Sequence, residues 1–374
     1  MKIGILTFHR AHNYGAYLQA CALCNRLNQE EGIEAELIDY RATAEVSRYD
    51  VRSFPLKKKI YQALHGTYSF NKRIGASFDS AMENPSMKLS KDSLTTDSLE
   101  AFRQFVYGKY DAIVVGSDEV WKVDSYRGFP TVFWLFGDMN CRKLSYAASA
   151  RVDFQKALNS EQYAQIQQAL SDFEFIGVRD SATECAVSKA LDDSTKVHLC
   201  CDPTFLYDFE VPDSDILGRI GKMRGFQKGK KNALVMLDND AAAEHVKNEI
   251  GDDYNLISAF HPHKGYLNCA DVDPFEWLYL IRKTDIVIAS FFHAICFSII
   301  NNRPFIAIGT KGKKSKLTEL LNTDKLSKRY IEAGGDSRLK STVQQVLSDD
   351  NDFSDYVEEK RSTFIPFLNA LKGE

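Results

Sequence analysis

Short apolar runs alternate with longer segments of helical periodicity through most of the chain. The runs at 2–8 (KIGILTF), 35–40 (AELIDY) and 111–116 (DAIVVG) are rich in β-branched and aliphatic residues, which predicts buried strands. A helical pattern follows the first of them at about 14–31. Such alternation is typical of βα units around a parallel sheet, so we expect a doubly wound domain at the start of the chain.

The same alternation continues to about residue 200, apart from one weaker region. The further elements predicted here are strands 143–148, 174–178 and 197–200 and helices at about 160–172 and 181–190. Between 41 and 105 lysine-rich and serine-rich stretches interrupt the pattern, and we expect an irregular insertion of helical pieces and loops there.

A charged, glycine-bearing stretch from Tyr207 to Asn232 separates this part from a second alternation. The elements predicted there are strands 233–238, 254–260, 285–289 and 304–308 and helices 240–250, 274–284, 291–302 and 315–322. We therefore expect an α/β protein of two doubly wound, Rossmann-like domains facing a cleft. The expected boundaries are 1–207 for the N-terminal domain, 208–231 for the connection, 232–350 for the C-terminal domain and 351–374 for a helix packing back on the first domain.

Length, charge and cysteine content narrow the class of protein. A chain of 374 residues is too long for one ordinary core, and a net charge of −4 gives no general basic field, so nucleic acid is not an expected partner. The chain shows neither a secretory leader pattern nor a run of about 18 apolar residues, which favours a cytoplasmic protein without a transmembrane segment. The eight cysteines do not form a secreted disulfide pattern, and we expect thiols.

Polar residues at the strand-to-helix turns are the candidates for a site, because ligands of open α/β sheets bind outside the carboxyl ends of the strands. Asn13 and Tyr14 follow the first strand, where they predict either a ligand wall or a capped helix start. Asp118, Glu119 and Trp121 follow strand 111–116. Carboxylates beside an aromatic ring suit a polyhydroxylated ligand, although a turn with a half-buried tryptophan would look the same.

Arg179 ends the predicted strand 174–178, just before Ser181 and Glu184, which have the spacing of a capping box. A guanidinium beside a helix N-terminus can bind a carboxylate or a phosphate in a bidentate manner. A structural salt bridge is the alternative. The sequence leaves both open.

The stretch IVIASFFHAICFSIINNRPFIAIG (286–309) places one histidine, His293, among apolar residues. With Ser290 as the cap, His293 would lie in the first turn of a helix, where a bound anion would favour its protonated form and make it an acid–base candidate. A buried histidine bound to a backbone carbonyl is the alternative. After the next strand, Lys313 and Lys316 stand at another helix start, which indicates either a local phosphate site or a solvated charged loop.

These positions belong to motifs that resemble one family. The motifs are NYGAYLQACAL (13–23), GSDEVW (116–121), SYAAS (145–149), VRDSA (178–182), CDPTFL (201–206) and the run from Asp273 to Gly309. In their order and spacing they are similar to the polysaccharide pyruvyl transferase family. The resemblance covers most of the chain and is weakest across 41–105.

The resemblance implies a GT-B-like fold and transfer of a pyruvyl group from phosphoenolpyruvate to two hydroxyls of a sugar as a cyclic ketal. It implies that Arg179 helps to hold phosphoenolpyruvate and that His293 is the catalytic acid or base. On the basis of this resemblance, we expect Ser290, Lys313 and Lys316 to bind phosphoenolpyruvate as well. No cofactor is implied, since phosphoenolpyruvate is a substrate.

On the acceptor side the expected residues are Asp118, as a catalytic group that orients or deprotonates a hydroxyl, with Asn13, Tyr14, Glu119 and Trp121 binding the sugar. No metal-ligand cluster is visible. His261 and His263 flank Pro262 in a predicted loop rather than forming a metal pair.

The sequence departs from the family at one position. One branch has Arg-Leu-His in the late motif, with the arginine as a second anion ligand, whereas this chain has Phe291-Phe292-His293. Another cation must then supply the missing charge, and Lys313 or Lys316 is our expectation.

Two other functions remain open at this point: a GT-B-type sugar-nucleotide glycosyltransferase, and a non-catalytic carbohydrate-binding protein of the same fold. The acceptor sugar, its linkage to a lipid, contact with a membrane surface and the oligomeric state are not determined by the sequence.

Overall fold

A computed structural model describes residues 1–49, 54–64, 67–191, 194–310, 312–334 and 337–374. The chain divides into two compact units. The first unit comprises Met1–Phe54, Met82–Asp208 and Glu358–Glu374, and the second unit comprises Pro55–Ala81 and Phe209–Val357. Residues 55–81, which the sequence analysis places in an insertion of the N-terminal domain, therefore belong to the second unit.

The strands form two sheets, one in each unit. Their bounds are β1 Lys2–Leu6, β2 Glu34–Arg41, β3 Leu89–Thr95, β4 Ala112–Val115, β5 Arg142–Ala148, β6 Phe175–Val178, β7 Val197–Leu199, β8 Lys231–Met236, β9 Tyr254–Ser258, β10 Leu267–Asn268, β11 Ile286–Ala289, β12 Phe305–Gly309 and β13 Tyr330–Glu332.

Helices connect these strands and flank the sheets. Their bounds are α1 Tyr14–Leu27, α2 Thr43–Tyr49, α3 Leu56–Leu64, α4 Thr67–Ala81, α5 Leu99–Val106, α6 Phe154–Ala157, α7 Ser160–Ser171, α8 Ser181–Ala190, α9 Ile216–Gly221, α10 Asp240–Ile250, α11 Pro274–Lys283, α12 Phe292–Ile300, α13 Lys314–Leu320, α14 Asp324–Ser327, α15 Leu339–Ser348, α16 Ser354–Ser362 and α17 Ile365–Lys372. Within the described residues, no helix is long and apolar enough to cross a membrane.

Both sheets follow the doubly wound order. The first sheet runs β3-β2-β1-β4-β5-β6-β7 and the second runs β10-β9-β8-β11-β12-β13. All the strand pairs are parallel. The strand order reverses between β1 and β4 in the first unit and between β8 and β11 in the second, and a ligand crevice forms at such a reversal.

The first unit is built around central strands that are buried on both faces, as expected of a parallel sheet. Every residue of β4 is buried, and α1 is buried along almost its whole length. Cys21 and Cys24 lie in this core with no exposed surface, as their helical spacing predicts. None of the eight cysteines, all of which the structure describes, forms a disulfide.

The strand β3 corrects one expectation. The region 41–105 was expected to hold only helical pieces and loops, yet β3 forms the edge of the first sheet beside β2. Its residues LSKDSLT are mostly exposed, so the strand lacks the apolar run by which buried strands are recognised.

The chain ends on the first unit. Phe367 of α17 lies 4.9 Å from the Tyr146 ring and 5.6 Å from the Phe175 ring, centroid to centroid. Arg142 donates hydrogen bonds to the carbonyl oxygens of Ala370 and Leu371 at 2.8 and 2.7 Å. The Ala370 carbonyl also accepts from Gly373 N at the helix end, and the two bonds from Arg142 fix α17 to the sheet.

Candidate functional site

Arg179 is the centre of a polar cluster in the first unit, at the carboxyl ends of β4 and β6. Its guanidinium donates to Asp202 Oδ2 at 2.8 Å, to Asp118 Oδ1 at 3.2 Å and to Ser117 Oγ at 3.5 Å. We call these four residues the Arg179 cluster. The Arg179 side chain is only 6% exposed, so the two ion pairs are largely shielded from water.

The backbone of β4 bends sharply to place Asp118 in this cluster. Gly116 has a φ of +118°, and a Cβ atom there would overlap the Tyr146 carbonyl oxygen, so no other residue fits. Asp118 itself has a φ of +75° in the left-handed region. The turn after β4 therefore requires glycine at position 116, because its backbone lies close to the backbone of β5 at Tyr146.

The electrostatics of the cluster are dominated by Arg179. Burial alone would lower the pKa of its guanidinium, but Asp118 and Asp202 more than reverse this effect and raise the pKa. One buried cation thus faces two carboxylates, which leaves the cluster with an excess of negative charge. The structural salt bridge considered for Arg179 is present, and its predicted role in binding phosphoenolpyruvate stays a prediction.

The helix after Arg179 is capped differently from the expectation. Asp180, rather than Ser181, is the N-cap of α8, and its carboxylate accepts from Thr183 N at 2.9 Å. Asp180 also accepts a hydrogen bond from Ser149 Oγ at 2.6 Å. A carboxylate caps a helix as well as a hydroxyl does, and the Asp180 carboxylate accepts from both the helix backbone and the buried Ser149.

Two further residues predicted to bind the acceptor, Glu119 and Trp121, follow Asp118 in the chain and differ in exposure. Glu119 is part-exposed and forms ion pairs with Arg151 at 3.3 Å and Lys122 at 3.7 Å. Trp121, expected to bind the sugar, is fully buried: it stacks on Trp134 at 5.3 Å, and its Nε1 donates to the Phe133 carbonyl at 3.0 Å. Trp121 therefore has no exposed surface for a sugar in this structure, and its predicted sugar-binding role stays a prediction.

The start of α1 is a capped helix. The Asn13 side-chain oxygen accepts from Gly15 N at 2.9 Å and Ala16 N at 3.2 Å, as its position predicts. Asn13 is partly exposed, whereas Tyr14 is only 2% exposed and belongs to the core. Of this pair, Asn13 keeps an accessible side chain for a ligand.

The second unit has its own polar cluster at the carboxyl ends of β8, β11 and β12. The Lys313 Nζ lies 2.7 Å from Asp238 Oδ2 and 3.3 Å from Ser290 Oγ, and Ser290 Oγ lies 3.4 Å from Asp238 Oδ1. The same ammonium lies 4.0 Å from the centroid of the Phe291 ring. We call these four residues the Lys313 cluster.

The Lys313 cluster is accessible on one side only. Ser290 is fully buried, whereas Lys313 and Asp238 have side chains that are 27% and 38% exposed. Burial would raise the pKa of Asp238, but the hydrogen bond and charge of Lys313 outweigh it and lower the pKa. Asp238 is therefore a carboxylate near neutral pH, and it neutralises Lys313 in this structure.

His293 lies in the first turn of α12, two residues after Phe291 of this cluster. The helix begins at Phe292, and its N-cap is Phe291, which makes no side-chain capping hydrogen bond. Ser290, the residue expected to be the cap, is therefore not the N-cap. Instead, the Ser290 hydroxyl donates to Asp238 Oδ1 and accepts from Lys313 Nζ. His293 is partly exposed as a residue, its Nε2 is buried, and its ring meets the Phe292 ring edge-on at 5.4 Å.

Two members of this neighbourhood, Asp238 and His261, were not among the site residues expected from the sequence. Asp238 follows β8 at the point of strand-order reversal, a position that could have identified it. His261 follows β9 and lies 6.0 Å from the Phe291 ring, centroid to centroid. Burial lowers the pKa of His261, with Asp238 opposing that shift.

The remaining predictions concern Lys316 and metal ligands. Lys316 lies in the first turn of α13 and is partly exposed, one turn beyond the lysine that reaches Ser290. His263 bonds Asp240 Oδ1 at 2.9 Å and the Leu237 carbonyl at 3.1 Å, so it stabilises a loop. In the part of the chain that the structure describes, no three His, Cys, Asp or Glu side chains lie together as metal ligands would.

Solved structures share this architecture. The UDP-GlcNAc 2-epimerase of Methanocaldococcus jannaschii is similar with a TM-score of 0.58, at 11% identity over 99% of each chain. The UDP-GlcNAc 2-epimerase of Neisseria meningitidis, solved bound to UDP-GlcNAc, is similar with a TM-score of 0.55, at 8% identity over 100% of each chain. At these identities the similarity defines the fold, and the predicted class of two parallel-sheet α/β domains of the GT-B type is confirmed.

The sequence profile of one family matches residues 13–312, which is most of the chain, and its description is polysaccharide pyruvyl transferase. The chain belongs to the polysaccharide pyruvyl transferase family. No curated protein sequence matches it.

Proposed function

We propose that the protein transfers the pyruvyl group of phosphoenolpyruvate to two hydroxyls of one sugar, forming a cyclic ketal and releasing phosphate. Protonation of the methylene carbon makes C2 electrophilic, and the first hydroxyl oxygen bonds to it. The bond from C2 to the phosphate oxygen then breaks, and the second hydroxyl closes the ketal. One hydroxyl proton replaces the proton given to the methylene, and the other leaves with phosphate.

The observation that carries this proposal is the Lys313 cluster. The donor brings a phosphate and a carboxylate, and Lys313 is a cation held between Ser290 Oγ and the Phe291 ring. The adjacent end of α12, nine residues long, is the positive end of the helix dipole. We assign the donor anion to Lys313 and Ser290, where it competes with Asp238 for the ammonium.

His293 is proposed as the group that moves the proton. It lies in the first turn of α12, three positions after Ser290, and the residue is partly exposed. In the proposed reaction this imidazole delivers a proton to the methylene carbon.

The Arg179 cluster is proposed to act on the acceptor. Asp118 is 20% exposed and has one oxygen held by Arg179, so its orientation is set while part of the carboxylate stays accessible. A carboxylate so placed accepts a proton from a sugar hydroxyl. Glu119 and Asn13 are the accessible neighbours that we assign to sugar hydroxyls.

The test is donor-dependent phosphate release. The protein is incubated with phosphoenolpyruvate and a panel of glycans, and phosphate is measured with and without each glycan. Phosphate release that requires one glycan supports the proposal. Release of a nucleotide from a sugar nucleotide, with no turnover of phosphoenolpyruvate, would identify a glycosyltransferase instead, and glycan binding without either reaction would identify a binding protein.

A further inference from the structure

The helix α3 exposes an apolar face on the surface of the second unit. Leu56, Ile60 and Leu64 are 72%, 50% and 79% exposed, and no residue of this nine-residue helix is buried. The three side chains are spaced by four residues, so they form one stripe along the helix. We call this stripe the α3 face.

Such exposure is unusual for a short helix. Helices of this length are marginal in water and normally gain their stability by packing an apolar face on the rest of the protein. The neighbouring α4 does this, since it buries Phe70, Ile74 and Phe78. In α3 the apolar side chains face water instead, which indicates that something else covers them.

Lysines flank the α3 face. At 100° per residue, Lys57 falls on one side of the stripe and Lys59 on the other, with Lys58 behind it. Tyr61, which is 61% exposed, lies beside the stripe next to Lys57. The segment 55–81 contains five Lys or Arg residues and one Asp, whereas the whole chain has a net charge of −4. The positive charge is thus local to this segment.

We propose that α3 docks the protein reversibly on an anionic lipid surface, with the α3 face entering the interface and Lys57–Lys59 contacting the headgroups. A helix with an apolar stripe and lysines at its borders binds in the plane of a bilayer interface. Tyrosine favours the level of the headgroups, and basic residues are drawn to anionic lipid. The proposal concerns binding alone and does not depend on the reaction proposed above.

The charges disfavour the two other occupants. A second copy of the chain meeting this face with its own would bring two lysine runs together, which is repulsive. A stable protein partner requires about 800 Å² on each side. Three aliphatic side chains and a tyrosine on one short helix supply only part of such an area. Insertion into a lipid interface needs no matching partner surface.

The test is flotation of the full-length protein with vesicles, in the absence of any substrate. Vesicles of phosphatidylcholine alone are compared with vesicles of phosphatidylcholine and phosphatidylglycerol. The wild-type protein should bind the anionic vesicles at least about tenfold more tightly, since each lysine near such a surface contributes about fivefold. Raising the salt concentration should weaken the binding.

Two variants and one control separate the contributions. Leu56→Gln/Ile60→Gln/Leu64→Gln should lose at least about tenfold in binding, and Lys57→Gln/Lys58→Gln/Lys59→Gln should lose the preference for anionic lipid. Leu199→Gln/Ile365→Gln changes two hydrophobic residues of the first unit that are 45% and 57% exposed, and it should bind like the wild type. Thermal melts check that each variant is folded. If the apolar variant does not fold, the lysine variant still tests the proposal.

Three results would overturn the proposal. One is no binding of the wild type to either vesicle. Another is equal binding by the wild type and both α3 variants. The third is concentration-dependent self-association in sedimentation, abolished by the apolar variant, which would assign the α3 face to a second copy of the chain.

Discussion

The Lys313 ammonium lies 4.0 Å from the centroid of the Phe291 ring. Phe291 stands where one branch of the family has an arginine, and the lysine arrives from the loop after the following strand, β12. An ammonium over an aromatic face is attracted by the ring quadrupole. Lys313, one of the two lysines considered as replacements for the arginine charge, contacts this ring and Ser290.

Removing this charge should weaken donor binding. In Lys313→Ala we expect the KM for phosphoenolpyruvate to rise about 10- to 100-fold with kcat changed less, since a hydrogen bond to a charged group contributes about 1.5–3 kcal/mol. Steady-state kinetics with a fixed acceptor checks this. Lys314→Ala is the matched control, because Lys314 is exposed and pairs with Glu332. Equal KM values in wild type and Lys313→Ala would rule out Lys313 as a donor ligand.

A charge introduced at position 291 tests whether Lys313 replaces the arginine that one branch of the family has there. Phe291→Arg alone should impair donor binding, because the new cation crowds Lys313. In the double variant Phe291→Arg/Lys313→Ala, the arginine should recover at least about tenfold of the loss seen in Lys313→Ala, a coupling of the size found between residues in contact. Additive effects of the two changes would show that the positions are independent.

His293 should matter for turnover rather than for folding. His293→Ala is expected to lower kcat by at least about a hundredfold, the lower range for a general acid or base. The KM for phosphoenolpyruvate should change less than in Lys313→Ala. The thermal melt should stay close to the wild type, since the residue is partly exposed and lies at a helix end. A folded variant with nearly normal kcat would remove His293 from the mechanism.

Arg179 should contribute strongly to stability. Arg179→Ala leaves Asp118 and Asp202 without their cation, and losing one partner of a buried ion pair costs about 3–5 kcal/mol. Denaturant unfolding measures this. Arg151→Ala removes a more exposed ion pair to Glu119 and should cost less than about 1 kcal/mol.

A higher KM for phosphoenolpyruvate in a stable Arg179→Ala protein would instead support the direct binding role that the family resemblance implies. A loss of stability with unchanged KM would assign Arg179 to positioning Asp118. Kinetics below the melting temperature of the variant separates these two results.

His261 should make the protein less stable in mild acid. Burial lowers its pKa, so the unfolded chain takes up a proton at a higher pH than the folded protein does. Stability is therefore lost as the pH falls from the pKa of the unfolded histidine towards the lower folded value. Unfolding free energies from about pH 7 to about pH 5 should fall more steeply in the wild type than in His261→Gln. Parallel curves would show that His261 is not responsible.

The regular elements could be predicted from the sequence because buried parallel strands carry continuous apolar runs. Strand β11 and helix α12 were expected at 285–289 and 291–302 and lie at Ile286–Ala289 and Phe292–Ile300. Strand β3 could not be recognised, since its exposed residues give no apolar signal.

The site was predictable only in part, for a different reason. Strand ends identify which loops carry polar residues, but contacts between loops depend on strand order. The contact of Lys313 with Asp238 needs β8, β11 and β12 to lie side by side. The burial of Trp121 could not be predicted either. A tryptophan after two carboxylates gives the same sequence pattern whether its ring is open to a sugar or packed on Trp134.

The most direct test of the proposed reaction is the structure of its product. The protein is incubated with phosphoenolpyruvate labelled with carbon-13 at C2 and with the glycan that triggers phosphate release, and the glycan is then examined by mass spectrometry and NMR. We predict a mass gain of one pyruvyl ketal and a labelled carbon bonded through oxygen to two carbons of the same sugar. A glycan of unchanged mass would contradict the account.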